Sequence, residues 1–475
     1  MTALRLMAND VHELHRDGAR VMFHIPTSAL FELDAVSGAV LDRLRDGDGM
    51  TKDQLARDLA GRFSAGEVDE TLAELGRIGL LDERARTIPP LPQHGLTTLV
   101  LNVNTGCNLS CSYCYKEDLA APAQGERMDL DTAKRSIDLL LAEAAGATGR
   151  KKANLVFFGG EPLTNMALIR AAVEYAEQAG RAQGIEIEFS LTTNATLLTT
   201  EIIDYFNAHR FGLTISMDGP RALHDKNRKT VGGQGTYDVV AEKVRLLLSR
   251  YRARPVGARV TLTPGVTDVR AIHDHLRGEL GFFEVGYAPA TAGDDALFNL
   301  SEAELAEVFA GFKALGQDYL EAALAGHNNG FGNMHQLMTD LVLGTRKLIP
   351  CGAGVGMLAV DKDGDLHLCH RFTGSGLGHF GSVDAGIDRG ALETFISGAL
   401  DREGRGCSSC RIRNLCSGGC YHESYARSGD PLNPTYHYCD ILRDWVDFGI
   451  EIFLRINAQN PSFFDHHVMP RRATS

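Results

Sequence analysis

The spacing of apolar residues changes twice along the chain, and the changes divide it into three blocks. In the first, 1–88, the segment ARVMFHIPTSALFEL (Ala19–Leu33) reads as two short strands around Pro26. Ser37–Arg45 then has helical spacing, and Thr51 caps a helix through Ala60. Ala65–Leu81 sets Val68, Leu72, Leu75 and Ile78 on one helical face. Strands followed by three short helices suggest a winged-helix module. Pro89, Pro90 and Pro92 mark the break that follows.

The second block, 96–326, alternates strand and helix. TTLVLNVN, NLVFFGG, IEIEFSLTTN, FGLTISMDG and GARVTLTP are strands by pattern, and Asp131–Ala144, Met166–Ala182 and Thr236–Arg250 are helices between them. Such alternation predicts an α/β fold with a parallel sheet and covering helices. Five or six repeats would close into a full or partial barrel, whose chemistry belongs at the C-terminal ends of the strands. A connecting helix is expected over 327–350. The third block, 351–475, is rich in Gly and Cys and shows little helical periodicity before Tyr436–Asn457. So weakly cored a segment needs staples such as metal sites.

At 475 residues the chain is long enough for two to four domains, and 44% hydrophobic residues supply a core. No run reaches the roughly 18 apolar residues of a membrane helix. Met1–Asp17 carries no signal-peptide apolar stretch, so the expected compartment is the cytoplasm, with no membrane partner. A net charge of −13 without a compact Lys/Arg stripe argues against nucleic acid. The acidity itself needs no reading beyond ordinary solubility.

The ten cysteines do change the picture. In an unexported chain they are thiols, and they are not scattered as structural cysteines would be. Cys107, Cys111 and Cys114 lie together, and the other seven fall between Cys351 and Cys439. Cys107-x3-Cys111-x2-Cys114 follows the first strand of the second block. Three thiolates hold three irons of a [4Fe–4S] cubane and leave the fourth open, as catalytic metal sites require. Zinc is the rival, and three cysteines with no nearby fourth ligand suit it poorly.

This spacing, with Tyr115 after it, resembles the signature of radical S-adenosylmethionine (SAM) enzymes. Gly159-Gly160-Glu161-Pro162 is similar to that family's GGEP motif, which grips the amino group of the methionine moiety. Thr193 and Asn194 end the third strand. Ser216 and Asp218 end the fourth, like the family's SxDG motif near the ribose. His224, Asp225 and Arg228 resemble the HDxxR stretch of the peptide-modifying branch. By this resemblance Tyr115, Gly159, Gly160, Glu161, Thr193, Asn194, Ser216, Asp218 and Arg228 bind the cofactor. Arg228 and Arg259 either neutralise its carboxylate or are solvated surface arginines. Taken singly, the polar pairs are also ordinary turn chemistry. The resemblance implies a partial (β/α)6 radical SAM barrel. It also implies a 5′-deoxyadenosyl radical that abstracts hydrogen from an unactivated carbon, the cofactors carrying the hard chemistry. No catalytic base is singled out.

The C-terminal cysteines, Cys351-x12-Gly364-x4-Cys369, Cys407-x2-Cys410-x5-Cys416-x3-Cys420 and Cys439, resemble the SPASM domain with its two auxiliary [4Fe–4S] clusters. A zinc ribbon would explain Cys407 and Cys410 alone. By position in the motif, Cys407, Cys410, Cys416 and Cys439 hold the outer cluster, and Cys351, Cys369 and Cys420 the inner one. Met357 stands where sulfatase maturases place a further cysteine. The inner cluster is therefore open to the substrate's sulfur, or is completed by a residue such as His370 or Asp361. In all, three [4Fe–4S] clusters and SAM are implied.

The first block resembles the peptide-recognition domain of peptide-maturation enzymes, in which a leader peptide pairs with a strand edge. A DNA-binding winged helix is the alternative, but GEVDETLAELGRIG offers no basic recognition helix. The implied partners are a peptide or small protein with a leader segment, and an electron donor such as flavodoxin or ferredoxin. Domain order and the opening FHIPTSALFELD are similar to the maturation enzymes of quinohemoprotein amine dehydrogenases, which join Cys sulfur to Asp or Glu methylene carbons. Maturases of thioether-bridged peptides and sulfatase maturases are the alternatives within the class. Outside it stands a non-catalytic iron–sulfur scaffold or electron carrier.

Overall fold

The structure, a computed structural model, describes residues 4–16, 19–46, 49–81, 95–115, 125–146, 151–290, 297–434 and 437–468. The proline-rich break at 89–92 lies outside the described residues. The first block folds as β1 (Val11–Arg16), β2 (Ala19–His24), β3 (Ala29–Leu33), α1 (Ala35–Asp46), α2 (Lys52–Leu59) and α3 (Ala65–Arg77), with the strands antiparallel in that order. Thr51 caps α2 in a reciprocal box with Gln54, and Ser64 caps α3 with Glu67. The helix expected to reach Leu81 stops at Arg77, because Gly79 turns the chain at φ +79°. β1 is absent from the sequence reading, since VHELHR has only two apolar residues.

Six parallel strands form the centre of the molecule, hydrogen-bonded in chain order: β4 (Thr98–Asn102), β5 (Lys152–Phe158), β6 (Glu186–Thr193), β7 (Gly212–Ser216), β8 (Val256–Leu262) and β9 (Glu284–Pro289). The helices α4 (Leu130–Gly146), α5 (Met166–Gln183), α6 (Thr200–Ala208), α7 (Arg221–Asn227), α8 (Tyr237–Arg250) and α9 (Val269–His273) lie between successive strands. This is an α/β fold with a parallel sheet, as the strand–helix alternation predicts. Burial alternates along β5 and β8. On β5, Ala153, Leu155 and Phe157 are fully buried, and on β8 Val256, Ala258, Val260 and Leu262 are buried while Gly257, Arg259 and Thr261 face the opposite side. β9 is not among the five strands read from sequence, because Gly286 and Pro289 dilute its pattern.

After α10 (Glu302–Leu324) and α11 (Gly332–Val342), the chain returns to the sheet. β10 (Met357–Val360) pairs parallel with β4, Met357 opposite Thr98, and β11 (Leu366–His367) pairs antiparallel with β10. The sheet therefore has eight strands and runs across the boundary expected at Cys351. The remaining elements are a short ladder of β12 (Gly381–Ser382) and β13 (Gly386–Ile387), then α12 (Arg389–Leu400), α13 (Arg413–Cys416), α14 (Tyr421–Ser428), α15 (Cys439–Gln459) and α16 (Ser462–His467). No described helix is long and apolar enough to cross a membrane.

β2 carries the N-terminal block onto the rest. Met22 packs into that block's own core, while Phe23 and Ile25 enter the main core. Asn414 Nδ2 donates to the Ile25 carbonyl at 2.7 Å, Ser28 Oγ to the Thr345 carbonyl at 2.9 Å, and Arg413 pairs with the buried Asp10. Breaking such a buried pair leaves an uncompensated charge, at a cost of about 3–5 kcal/mol. Arg413→Ala should therefore loosen the N-terminal block selectively, read as faster hydrogen exchange over 19–25 with unchanged protection in β5 and β6.

Candidate active site and cluster sites

The C-terminal ends of the parallel strands open into a cavity of about 740 Å3. Cys107, Cys111 and Cys114 line it from the loop after β4, and Gly159, Gly160 and Glu161 from the turn after β5. Thr193 and Asn194 come from the end of β6, Ser216 from β7, Arg259 from β8, and Arg228 from beyond α7. His370 and Arg371 close it from the C-terminal block, and Tyr115 lies on the same wall.

The two key loops are packed to contact. A β-carbon on Gly159 would stand 2.3 Å from Asn104 Oδ1, and one on Gly160 would stand 2.2 Å from the Gly106 carbonyl oxygen. Backbone hydrogen bonds run between them, Gly160 N to Asn104 O at 3.2 Å and Glu161 N to Gly106 O at 3.0 Å. Asn104 Nδ2 adds donations to the Gly106 and Glu161 carbonyls, both at 3.0 Å. On its far side the cysteine loop is stapled to the segment after α7, by Ser110 N to Lys229 O at 2.8 Å and Ser112 Oγ to Asn227 Oδ1 at 2.7 Å.

Glu161 is buried, and both its oxygens are engaged. Oε1 accepts from Leu163 N at 3.0 Å and Thr193 Oγ1 at 2.7 Å, and Oε2 accepts from Asn194 N at 2.8 Å. Burial pushes its carboxyl up to about 7, against these donors and Arg228, which pull it down. Asn194 Nδ2 reaches Asn108 Oδ1 at 3.0 Å, tying the end of β6 to the cysteine loop. Burial likewise pushes the Cys107 thiol up to about 12 and Cys111 to about 11. These thiols stay protonated until a metal displaces the proton.

Asp218 is not a cavity wall. Fully buried behind it, the carboxylate accepts from Tyr113 Oη at 2.6 Å, Arg228 Nε at 2.9 Å and Thr261 N at 3.0 Å. Asp218, expected at the cofactor, thus stands behind the cavity wall and holds Arg228, whose guanidinium also lies 5.5 Å from the Tyr113 ring centre. His224 and Asp225 are scaffold as well. His224 Nδ1 accepts from Asp218 N at 3.4 Å and Nε2 meets Thr236 Oγ1 at 3.0 Å, while Asp225 caps the start of α8 through Thr236 N and Tyr237 N, both at 2.8 Å. Tyr113, Asn104 and Asn108 escape sequence reading because a lone Tyr or Asn is unremarkable before its partners are known.

The C-terminal cysteines form two further groups. Cys407, Cys410, Cys416 and Cys439 line one small cavity of about 100 Å3, ringed by Arg402, Arg405, Arg413 and Arg443. Cys351, Cys369 and Cys420 act electrostatically on one another. The two alternative inner ligands stand in different surroundings. Asp361 accepts from the backbone of Asp363, Gly364 and Asp365, each at 3.0 Å, and pairs with His367 at 2.9 Å. His370 stacks on Phe158, ring centres 4.1 Å apart, at the main cavity. Met357 packs in the apolar cluster that contains Cys369. Among the described residues no three His, Cys, Asp or Glu side chains converge on a single ion. Groups of three and four thiols are the donor sets that hold [4Fe–4S] clusters. The donor set thus suits clusters.

Residues 101–276 match the Radical SAM superfamily model, so the chain carries a radical SAM superfamily domain, which implies a [4Fe–4S] cluster and SAM. The chain is 23% identical to the cysteine-type anaerobic sulfatase-maturating enzyme of Clostridium perfringens, over 76% of this chain and 98% of that one. It is 25% identical to the serine-type enzyme of Klebsiella aerogenes, over 74% and 86%. The radical SAM cyclopropyl synthase TigE of Paramaledivibacter caminithermalis is 20% identical over 90% and 91%. Among solved structures, anSMEcpe with bound AdoMet matches at a TM-score of 0.64 with 19% identity, over 76% of this chain and 99% of that one. Streptococcus suis SuiB bound to precursor peptide SuiA matches at 0.51 with 15% identity, over 92% and 99%. At these identities the structural likeness is one of fold.

Two outcomes follow from the buried layer. Asp218→Asn should cost about 3–5 kcal/mol in urea unfolding, because Arg228 is left buried without its counter-charge, and should weaken SAM binding in the same protein. Burial holds His224 down at about 3, below its usual value of 6.5. Its stabilising contribution is complete above pH 6.5 and is lost as pH falls toward 3. His224→Gln should flatten the decline in stability between pH 6.5 and 4, measured by denaturant midpoints.

Proposed function

We propose that this is a radical SAM peptide-modifying enzyme that joins Cys sulfur to the methylene carbon of Asp or Glu in the small subunit of a quinohemoprotein amine dehydrogenase. The observation that carries peptide modification is the cavity itself, lined from the strand ends by a cysteine triad and from the C-terminal block by His370 and Arg371. When bound, the cluster and SAM supply a 5′-deoxyadenosyl radical able to take hydrogen from an unactivated carbon. Cys107, Cys111 and Cys114 would hold that cluster. The Gly159-Gly160-Glu161 turn would receive the cofactor's amino group, Ser216 would face its ribose, and Arg228 would meet its carboxylate.

Arg259 projects from an inward position of β8 between Ser216 and Gly286, where the small neighbours leave it room. Among the described residues no carboxylate pairs with it, so its guanidinium is available to an acidic group. That supports a substrate with reactive Asp or Glu residues. Auxiliary clusters at Cys407, Cys410, Cys416 and Cys439 and at Cys351, Cys369 and Cys420 would exchange electrons with a donor such as flavodoxin or ferredoxin.

The N-terminal block favours this reading over sulfatase maturation. The sulfatase-maturating relatives match about three quarters of the chain, whereas the radical SAM cyclopropyl synthase matches 90% of it. The block would bind a leader peptide along the edge of β3. Sulfatase maturation is the second reading, favoured by the near-complete coverage of those relatives. An iron–sulfur scaffold or electron carrier would have no use for the SAM-sized cavity.

Anaerobic incubation of the reconstituted enzyme with the leader-bearing small-subunit polypeptide should remove two hydrogens per bridge, mapped by tandem mass spectrometry to Cys and acidic residues. Conversion of a sulfatase peptide's Cys or Ser with no change in the small subunit would favour the second reading. Removing residues up to about Pro90 should weaken substrate binding at least tenfold while uncoupled SAM cleavage persists, since the block carries none of the cysteines.

A further inference from the structure

Tyr421, the first residue of α14, directly follows Cys420. Its side chain is only 4% exposed, and its hydroxyl is buried with no hydrogen-bond partner among the described residues. A buried tyrosine usually finds a partner, and an orphaned donor costs about 1–3 kcal/mol. The pocket around the ring explains the lack. Ala353, Leu368, Phe380 and Phe395 are hydrocarbon, with the Phe395 ring edge-on at 5.0 Å. The one thiol in this buried cluster is Cys369. The orphan hydroxyl therefore belongs to a residue that packs in one buried cluster with Cys369 and is bonded in the chain to Cys420, two of the three thiols of the proposed inner site.

We propose that the Tyr421 hydroxyl donates a hydrogen bond to a sulfur of the inner [4Fe–4S] cluster and thereby favours its reduced form. The inference rests on the reading of Cys351, Cys369 and Cys420 as ligands of that cluster. Reduction adds negative charge to the cluster's sulfurs, and a charged acceptor takes a stronger hydrogen bond, so a donor here raises the reduction potential. Tyr421 is a positioning residue in this account: it touches no substrate, and it sets how readily the cluster takes an electron.

The test uses the full chain with Cys107, Cys111 and Cys114 replaced by Ala, which empties the first site, with and without Tyr421→Phe. Iron and sulfide content and Mössbauer spectra count the clusters, and an electron paramagnetic resonance titration reads each potential. In the Phe variant the inner cluster's reduced form should be about tenfold less favoured, a drop of about 59 mV for one electron. The outer cluster, an internal reference, should not move. An exchangeable proton coupling to the inner cluster, removed by D2O in the parent, should be missing. The apoprotein should respond with the opposite sign, melting no lower than its parent, because Phe fills the same space and removes an orphan donor. Two clusters present with an unmoved inner potential and an unchanged proton coupling would overturn the role of Tyr421. Iron and sulfide for only one cluster would remove the inner site, and the hydroxyl's role with it.

Discussion

Everything at the C-terminal ends of the strands depends on one close approach, that of the Asn104–Cys107 backbone to the Gly159-Gly160 turn. There is no room there for a β-carbon on either glycine. The contact makes the loop after β4 and the turn after β5 a single rigid piece, so the cysteine triad and Glu161 are positioned together. Glu161 then reaches across to Thr193 and Asn194, and Asn194 returns to Asn108 beside Cys107. The circuit closes over three strand ends. Any side chain at the two glycines would separate the thiols from the polar groups that face them.

A second buried layer supports the first. Asp218 joins Tyr113 from the cysteine loop, Arg228 from beyond α7 and the backbone of β8. Charge buried this deeply is tolerated because every oxygen is engaged, and it fixes the direction in which Arg228 meets the cavity. The C-terminal block completes the enclosure. β10 extends the sheet next to β4, His370 stacks on Phe158, and the Arg371 guanidinium lies 4.3 Å from the Tyr115 ring centre. Continuity of the sheet thus brings the cysteine-rich segment to the cavity at the strand ends.

Much of this was legible in the residues. Strand–helix alternation marks β4 to β8, since buried parallel strands are strongly apolar at alternate positions, and the turn chemistry after each strand points to the cavity. The cysteine groups declare themselves by spacing. What stayed hidden depends on partners distant in sequence. Asp218 reads like a ligand at a strand end, and only its neighbours Tyr113 and Arg228 show that it faces inward. His370 follows Cys369, and only the fold shows that its ring packs against Phe158 of β5. β1 and β9 are too polar or too rich in Gly and Pro to reveal themselves before their sheet partners are in place. The pairing of β10 with β4 joins residues some 260 positions apart, which no local pattern encodes.

The central claim is that one cysteine triad, and no other group of thiols in the chain, serves SAM. It is tested most directly by 5′-deoxyadenosine release from SAM under dithionite, comparing the reconstituted protein with a variant in which Cys107, Cys111 and Cys114 are all Ala. The account predicts release by the parent and none by the variant, which still retains iron and sulfide on its C-terminal cysteines. Release by the variant at the parent's rate would contradict it.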